Sequence, residues 1–175
     1  MEIKITLPLT DEILHKLKMG DKVLLSGTIY TARDAAHKRF LEDNKNEVKL
    51  PFNPKNQIIY YVGPSPTKPG DVIGSSGPTT SYRMDSFACE FMQMGLKGMI
   101  GKGPRNSEVK ECIKKFGAVY FVAIGGAAVV ISESIVKSEI IAYEDLQSEA
   151  VRKLEVKDFP CYVAIDTEGN DIFDR

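Results

Sequence analysis

Apolar and polar positions change period repeatedly along the chain, and each change marks an element. Ile3, Ile5 and Leu7 alternate with polar residues, the period of a strand that ends near Pro8. Thr10 then caps a short helix with Ile13, Leu14 and Leu17 inward, closed by Gly20. Lys22 to Tyr30 reads as a second strand, with Gly27 as a bulge or close approach. Thr31 followed by Asp34 fits a capping box, which predicts a helix with Arg33 in its first turn and Ala36, Phe40 and Leu41 inward. Ile58 to Val62 is a short apolar strand after a polar, proline-punctuated loop from Asp43 to Gln57. Met84, Phe87, Ala88 and Phe91 fall at the i, i+3, i+4, i+7 spacing of a helix face.

The second half continues the alternation. Leu96 to Ile100 predicts a strand, Asn106 caps a helix that stops at Gly117, and Ala118 to Ile124 is an apolar run suited to a strand covered on both faces. Short strands at Ser138–Ala142, Leu154–Val156 and Cys161–Ile165 surround a helical stretch near Asp145 to Val151. Strands alternating with helices in this way predict a layered α/β domain, and 175 residues suit a single one.

The chain is organised around the stretch from Gly74 to Asp85, where a loop rich in glycine and hydroxyl residues feeds the Met84 helix. Thr80 or Ser81 is a natural N-cap, and Arg83 falls in the first turn. Free amides, the positive end of the helix dipole and a guanidinium together suit an anion. The plain alternative is an ordinary capped helix with a solvated arginine. The loop lacks the lysine of a Walker P-loop and the spacing of a nucleophile elbow.

Composition narrows the classes. A net charge of −1 excludes a broadly basic surface for nucleic acid, and no apolar run is long enough to span a bilayer. The charged start is no signal peptide, so a cytoplasmic location is expected. Cys89, Cys112 and Cys161 form no C-x-x-C pair, and with only two histidines they carry no metal-binding pattern. Cys112 shares an apolar helix face with Val109, Ile113 and Phe116 and reads as core. Arg33, Arg83 and Lys102 recur at helix starts or in a glycine turn, and with Thr79 and Thr80 would suit a small dicarboxylate. The plain alternative is a surface charge, the commoner state of any arginine or lysine. His37 is either an acid–base group or a buried structural histidine. Gly125-Gly126-Ala127-Ala128 permits close backbone approach to a ligand or a packed neighbour.

The runs TARDAAHKR (31–39), GPTTSYRMD (77–85), GKG (101–103), AIGGAA (123–128), DFP (158–160) and GND (169–171) occur in this order. They resemble the β subunit, or C-terminal domain, of class I fumarate hydratases, whose close relative is the L-tartrate dehydratase β subunit. The resemblance implies a swivelling β/β/α domain with mixed sheets over 1–175, and a part in an iron–sulfur hydro-lyase. It also implies a 4Fe-4S cluster held by an α subunit, not by this chain. Arg33, Arg83 and Lys102 would bind substrate carboxylates or hydroxyl, and Thr79 would be the candidate base. Tyr82 departs from the family's small residue, and no catalytic role is carried onto His37. The expected activity is reversible hydration of fumarate to L-malate, with tartrate dehydration as the near alternative. A stand-alone anion-binding or regulatory domain is the reading from another class.

Overall fold

The computed structural model describes residues 2–123 and 128–174. In chain order the first half carries β1 (Glu2–Thr6), α1 (Asp11–Lys16), β2 (Lys22–Thr31), α2 (Asp34–Lys45) and β3 (Ile58–Tyr60). The second half carries α3 (Asp85–Gln93), β4 (Gly98–Gly101), α4 (Ser107–Phe116), β5 (Val119–Val122), α5 (Ala128–Ser134), β6 (Ile135–Ala142) and β7 (Val151–Ile165). Short 3-10 segments, Ser81–Met84 and Glu144–Glu149, lead into α3 and β7.

β1 to β5 run parallel in the order of the chain. Parallel neighbours need crossovers, and α2, α3 and α4 supply those from β2 to β5. β7 runs antiparallel to β2 from Lys22–Tyr162 to Thr31–Arg152, and its C-terminal half also pairs with β5. The sheet therefore closes on itself as β2-β3-β4-β5-β7. β1 lies beside the N-terminal half of β2, and β6 beside that of β7.

The closure creates two cores, and strand periodicity sorts the residues between them. Ile58, Tyr60 and Val62 point into an inner core with Val23, Leu25, Phe121, Phe159 and Val163. Ile59 and Tyr61 point outward, beneath Phe40 of α2, Phe91 of α3 and Ile113 of α4. Both faces of β3 and β5 are thus covered, which is why they read as unbroken apolar runs. The layers are strand, strand and outer helix, the mixed α/β class expected.

Several local expectations are borne out. The Thr10 side chain accepts from the Ile13 amide and Asn106 from Val109, so both cap their helices. Gly117 closes α4 in the left-handed region at φ 68°. Gly27 sits at φ 131° where the β2–β7 register slips, and a Cβ there would lie 2.9 Å from Leu7 Cβ.

Others are corrected. The capping box at Thr31 does not form. Thr31 ends β2 instead, its hydroxyl accepting from the Arg152 amide and donating to the Ala150 carbonyl. Arg33 is itself the N-cap of α2, and the Glu149 carboxylate accepts from the Ala35 amide in place of a threonine cap. Neither Thr80 nor Ser81 caps α3, which enters through the 3-10 turn while the Ser81 hydroxyl is hydrogen-bonded to that of Tyr120. α1 ends at Lys16, short of Gly20. Leu154–Val156 and Cys161–Ile165 are two ends of one strand, which continues through Asp158 and Pro160. α5 had no counterpart in the sequence reading. Cys89 and Cys112 are joined as a disulfide between α3 and α4, with Cα atoms 5.7 Å apart, so Cys112 is a cross-link as well as a packing residue. Gly125, Gly126 and Ala127 lie outside the described residues. No helix among the described residues is long and apolar enough to cross a membrane.

Candidate active site at the carboxyl edge of the parallel strands

Because β2, β3 and β4 are parallel, the chain leaves all three at the same edge, the usual place for ligand-binding loops in α/β sheets. β2 delivers Arg33 and Asp34 there, β3 the long loop from Tyr61 to Thr80, and β4 the turn with Lys102. The long loop returns between the ends of β3 and β4. The Thr79 amide donates to the Tyr61 carbonyl at 2.7 Å, and the Ser81 amide to the Lys102 carbonyl at 2.9 Å. Thr80 and Lys102 form an isolated parallel bridge. Gly101 makes this approach possible, since a Cβ there would run into the Ser81 hydroxyl. A Cβ on Gly77 would lie 3.3 Å from Ala128 Cβ, so the start of α5 borders the same loop.

Arg33 and Arg83, fifty residues apart in sequence, meet across one carboxylate. Arg83 Nε donates to Asp34 Oδ2 at 3.1 Å, and Arg33 Nε stands 3.8 Å from Asp34 Oδ1. Among the described residues, the buried side-chain atoms left without a hydrogen-bond partner are Arg33 Nε, Asp34 Oδ1 and Arg152 Nε. Arg152 pairs with Thr31 in the β2–β7 ladder, so all three lie at the same end of β2. Buried unpaired polar atoms are costly, and their concentration at one edge marks a place with capacity for a polar ligand. Lys102 is brought alongside by its backbone, and its exposed ammonium has no carboxylate partner among the described residues. The Thr79 side chain is half-buried and its hydroxyl engages no described residue.

Beneath these groups lies a buried network. Arg105 Nε donates to Asp85 Oδ1 at 2.6 Å, with the arginine side chain fully buried. The other oxygen of Asp85 accepts from the Asn106 amide at 2.9 Å. Arg105 Nη2 donates to the Tyr61 hydroxyl at 3.2 Å, and its guanidinium lies over the rings of Tyr61 and Tyr120, at 5.2 and 4.8 Å. The Tyr120 hydroxyl lies 2.7 Å from Ser81 Oγ and 2.8 Å from the Gly103 carbonyl. Burial raises the pKa of both phenols, so they act as neutral groups. The network ties the Arg83 turn, the Lys102 turn and the ends of β3 and β5 into one rigid floor.

His37 is buried below Arg33, edge-on to Tyr61 and Phe91. Its Nδ1 lies 2.8 Å from the Arg33 carbonyl, which makes Nδ1 the protonated nitrogen of the neutral ring. Burial lowers its pKa to about 4, although the Arg33 carbonyl pulls the other way. This is the environment of a structural histidine that supports the Arg33 backbone.

A family model described as Fumarase C-terminus matches residues 1–175. The chain belongs to the fumarase C-terminus family. It is 40% identical over 169 residues to an Escherichia coli (strain K12) protein named "Fumarate hydratase class I, aerobic", covering 94% of this chain and 31% of that one. Its identity to a Methanocaldococcus jannaschii protein named "Putative L(+)-tartrate dehydratase subunit beta" is 40% over 173 residues, covering 95% and 89% of the two chains. A Leishmania major protein named "Fumarate hydratase 2" is 40% identical over 164 residues, covering 93% and 29%. The chain spans about a third of the length of the fumarate hydratases it matches.

For this fumarase C-terminus member, the structure brings Arg33 and Arg83 together on supports that the sequence pattern did not reveal. Asp34, the far half of the expected capping box, instead faces both guanidinium groups. Arg105, Asp85, Tyr61 and Tyr120 were not singled out. Neither member of the charged pair carries a distinctive local signal, since Asp85 opens a helix and Arg105 precedes the Asn106 cap among polar residues. Gly63 was missed as well. A Cβ there would lie 3.0 Å from Arg33 Cδ and 3.2 Å from Arg33 Nη1, so the arginine rests on bare backbone.

Proposed function

We propose that this chain is the β subunit of an iron–sulfur hydro-lyase of the class I fumarate hydratase type, hydrating fumarate reversibly to L-malate. The observation that carries the reading is the meeting of Arg33 and Arg83 across Asp34, at a strand edge where buried polar atoms are left unpaired. Two guanidinium groups side by side suit carboxylates, and Lys102 adds a point charge on the neighbouring turn. In this proposal Arg33, Arg83 and Lys102 orient the dicarboxylate. Thr79 is the group that takes or relays the proton at the carbon opposite the departing hydroxyl. The dehydratase named among its relatives makes L-tartrate the second candidate substrate, and Tyr82, exposed beside Arg83, is the residue to examine for that choice.

The chain's own cysteines do not fit an iron–sulfur cluster. Cys89 and Cys112 are paired with each other, and Cys161 is buried in the inner core. Among the described residues no group of three or more His, Cys, Asp or Glu could hold a metal ion. In the proposal the 4Fe-4S cluster therefore belongs to the α subunit, which completes the site from the other side, and the assembled enzyme works in the cytoplasm. The test is co-expression with a cysteine-bearing α subunit under anaerobic conditions, followed by assay with fumarate and L-tartrate. Turnover of either diacid by the complex, absent from each chain alone, supports the reading. An active complex formed without this chain, or an inactive one with an intact cluster, overturns it in favour of a stand-alone anion-binding domain.

A further inference from the structure

A negative charge between two arginines is out of place in a site meant for a dianion. Asp34 is nonetheless set at the first turn of α2, with its carboxylate between Arg33 and Arg83. Its contacts show a pattern. It meets Arg83 through Nε at 3.1 Å and faces Arg33 through Nε at 3.8 Å. Among the described residues neither arginine uses a terminal nitrogen in a hydrogen bond. A guanidinium gripped at Nε keeps its outer edge of terminal nitrogens, which can still take a carboxylate bidentately. The Arg33 end is steered further by Gly63, whose bare backbone lets Nη1 lie close.

We propose that Asp34 is a positioning residue that holds Arg83 by its Nε–H hydrogen bond and faces Arg33 Nε as an ion pair at 3.8 Å, turning the outer edges of both guanidinium groups toward the substrate carboxylates. This rests on the dicarboxylate reading above. The tether joins two segments that sequence keeps apart: the β2–α2 corner and the 3-10 turn before α3. It explains why a like charge is tolerated beside an anion site. Its repulsion of the substrate is outweighed by the order it imposes on two long side chains, whose rotamer freedom would otherwise be lost on binding. The other charges nearby do not replace it. Glu149 is spent on the Ala35 amide, and Asp85 is held by Arg105 and the Asn106 amide.

The two effects of Asp34 have opposite signs, and this makes the test decisive. If the carboxylate acted only as a like charge, Asp34→Asn would tighten dicarboxylate binding. Under the tether, Asp34→Asn in the assembled two-subunit enzyme raises KM for the diacid about ten- to a hundredfold, with kcat changed far less. Asp34→Glu, which keeps the charge, recovers part of the loss. A merely structural defect would lower the active fraction, and so kcat, at unchanged KM. The companion measurement is made on this chain alone: the Arg83 Nε–H resonance in 15N-edited NMR spectra. It should be protected from exchange in the parent chain and lose that protection in Asp34→Asn. An unchanged or lower KM in Asp34→Asn overturns the proposal, as does an Arg83 Nε–H signal identical in both proteins. If the parent complex turns over neither fumarate nor tartrate, the functional reading fails, and the Nε–H signal still decides the tether.

Discussion

Arg105 offers the sharpest test of how the site is held. Replacing it with Met keeps an apolar stem of similar reach but leaves the Asp85 carboxylate, 8% exposed, facing only the Asn106 amide. The Tyr61 hydroxyl loses its donor at the same time. Removing one partner of a buried ion pair costs about 3–5 kcal/mol, because the remaining charge stays desolvated. In a chain of this size each kcal/mol lowers Tm by about 2–4 °C, so the expected drop is about 6–20 °C. The loss should be read by thermal unfolding of this chain alone, which separates stability from assembly. Asp85→Asn combined with Arg105→Met should recover much of it, since the stranded charge is then gone. In the complex, the single variant at a permissive temperature should also lose affinity for the diacid, because Arg83 and Lys102 stand on turns that this network joins. A Tm within about 2 °C of the parent for Arg105→Met would refute the reasoning. The pair would then be no more than a surface-like contact, and the rigidity of the floor would need another source.

Three further outcomes follow from the same geometry. The unfolded chain protonates His37 near pH 6.5 and the folded chain only near about 4, so its contribution is full above pH 6.5 and is lost as pH falls through that window. The loss is about 3 kcal/mol, and His37→Gln should flatten the acid limb of a Tm-against-pH profile; an unchanged limb would count against it. Gly63→Ala places a Cβ 3.0 Å from Arg33 Cδ, which should raise KM for the diacid with a stability cost of about 1–3 kcal/mol; normal KM would show that Arg33 can give way. Thr79→Ala should leave Tm nearly unchanged, because its hydroxyl holds no described partner, while kcat falls about 10²- to 10⁴-fold and Thr79→Ser retains activity. Near-normal turnover in Thr79→Ala would remove it from the chemistry.

Periodicity was enough to place most elements. The apolar runs of β3 and β5, the Asn106 and Thr10 caps, the Gly117 stop and the Gly27 bulge are local signals, and local physics decided them. What failed was local chemistry overruled by distant partners. Thr31 was available to cap α2, but its hydroxyl is used by β7, 121 residues away, and Glu149 supplies the cap instead. Ser81 was available to cap α3, but Tyr120 claims it. Both overrulings occur where strand ends meet loops, because only there does a polar side chain have backbone from several elements within reach.

The same reasoning explains which parts of the site were readable. Arg33, Arg83 and Lys102 stand out in sequence because each falls at an expected helix start or in a glycine turn. Their supports do not, since Asp34, Asp85 and Arg105 look like ordinary helix-flanking charges until the closed sheet brings them together. If, as proposed, a partner subunit completes the site, that site gains nothing from loops that order only on assembly. Every side chain ordered at that moment would subtract from the affinity of either event. The buried Arg105–Asp85 pair and the Asp34 contacts spend that ordering during folding instead, within this chain. The consequence is specific: the anion-binding half should be largely formed before the partner arrives. The chain alone should then bind a small dicarboxylate weakly at the same arginines, with the partner adding chemistry more than shape.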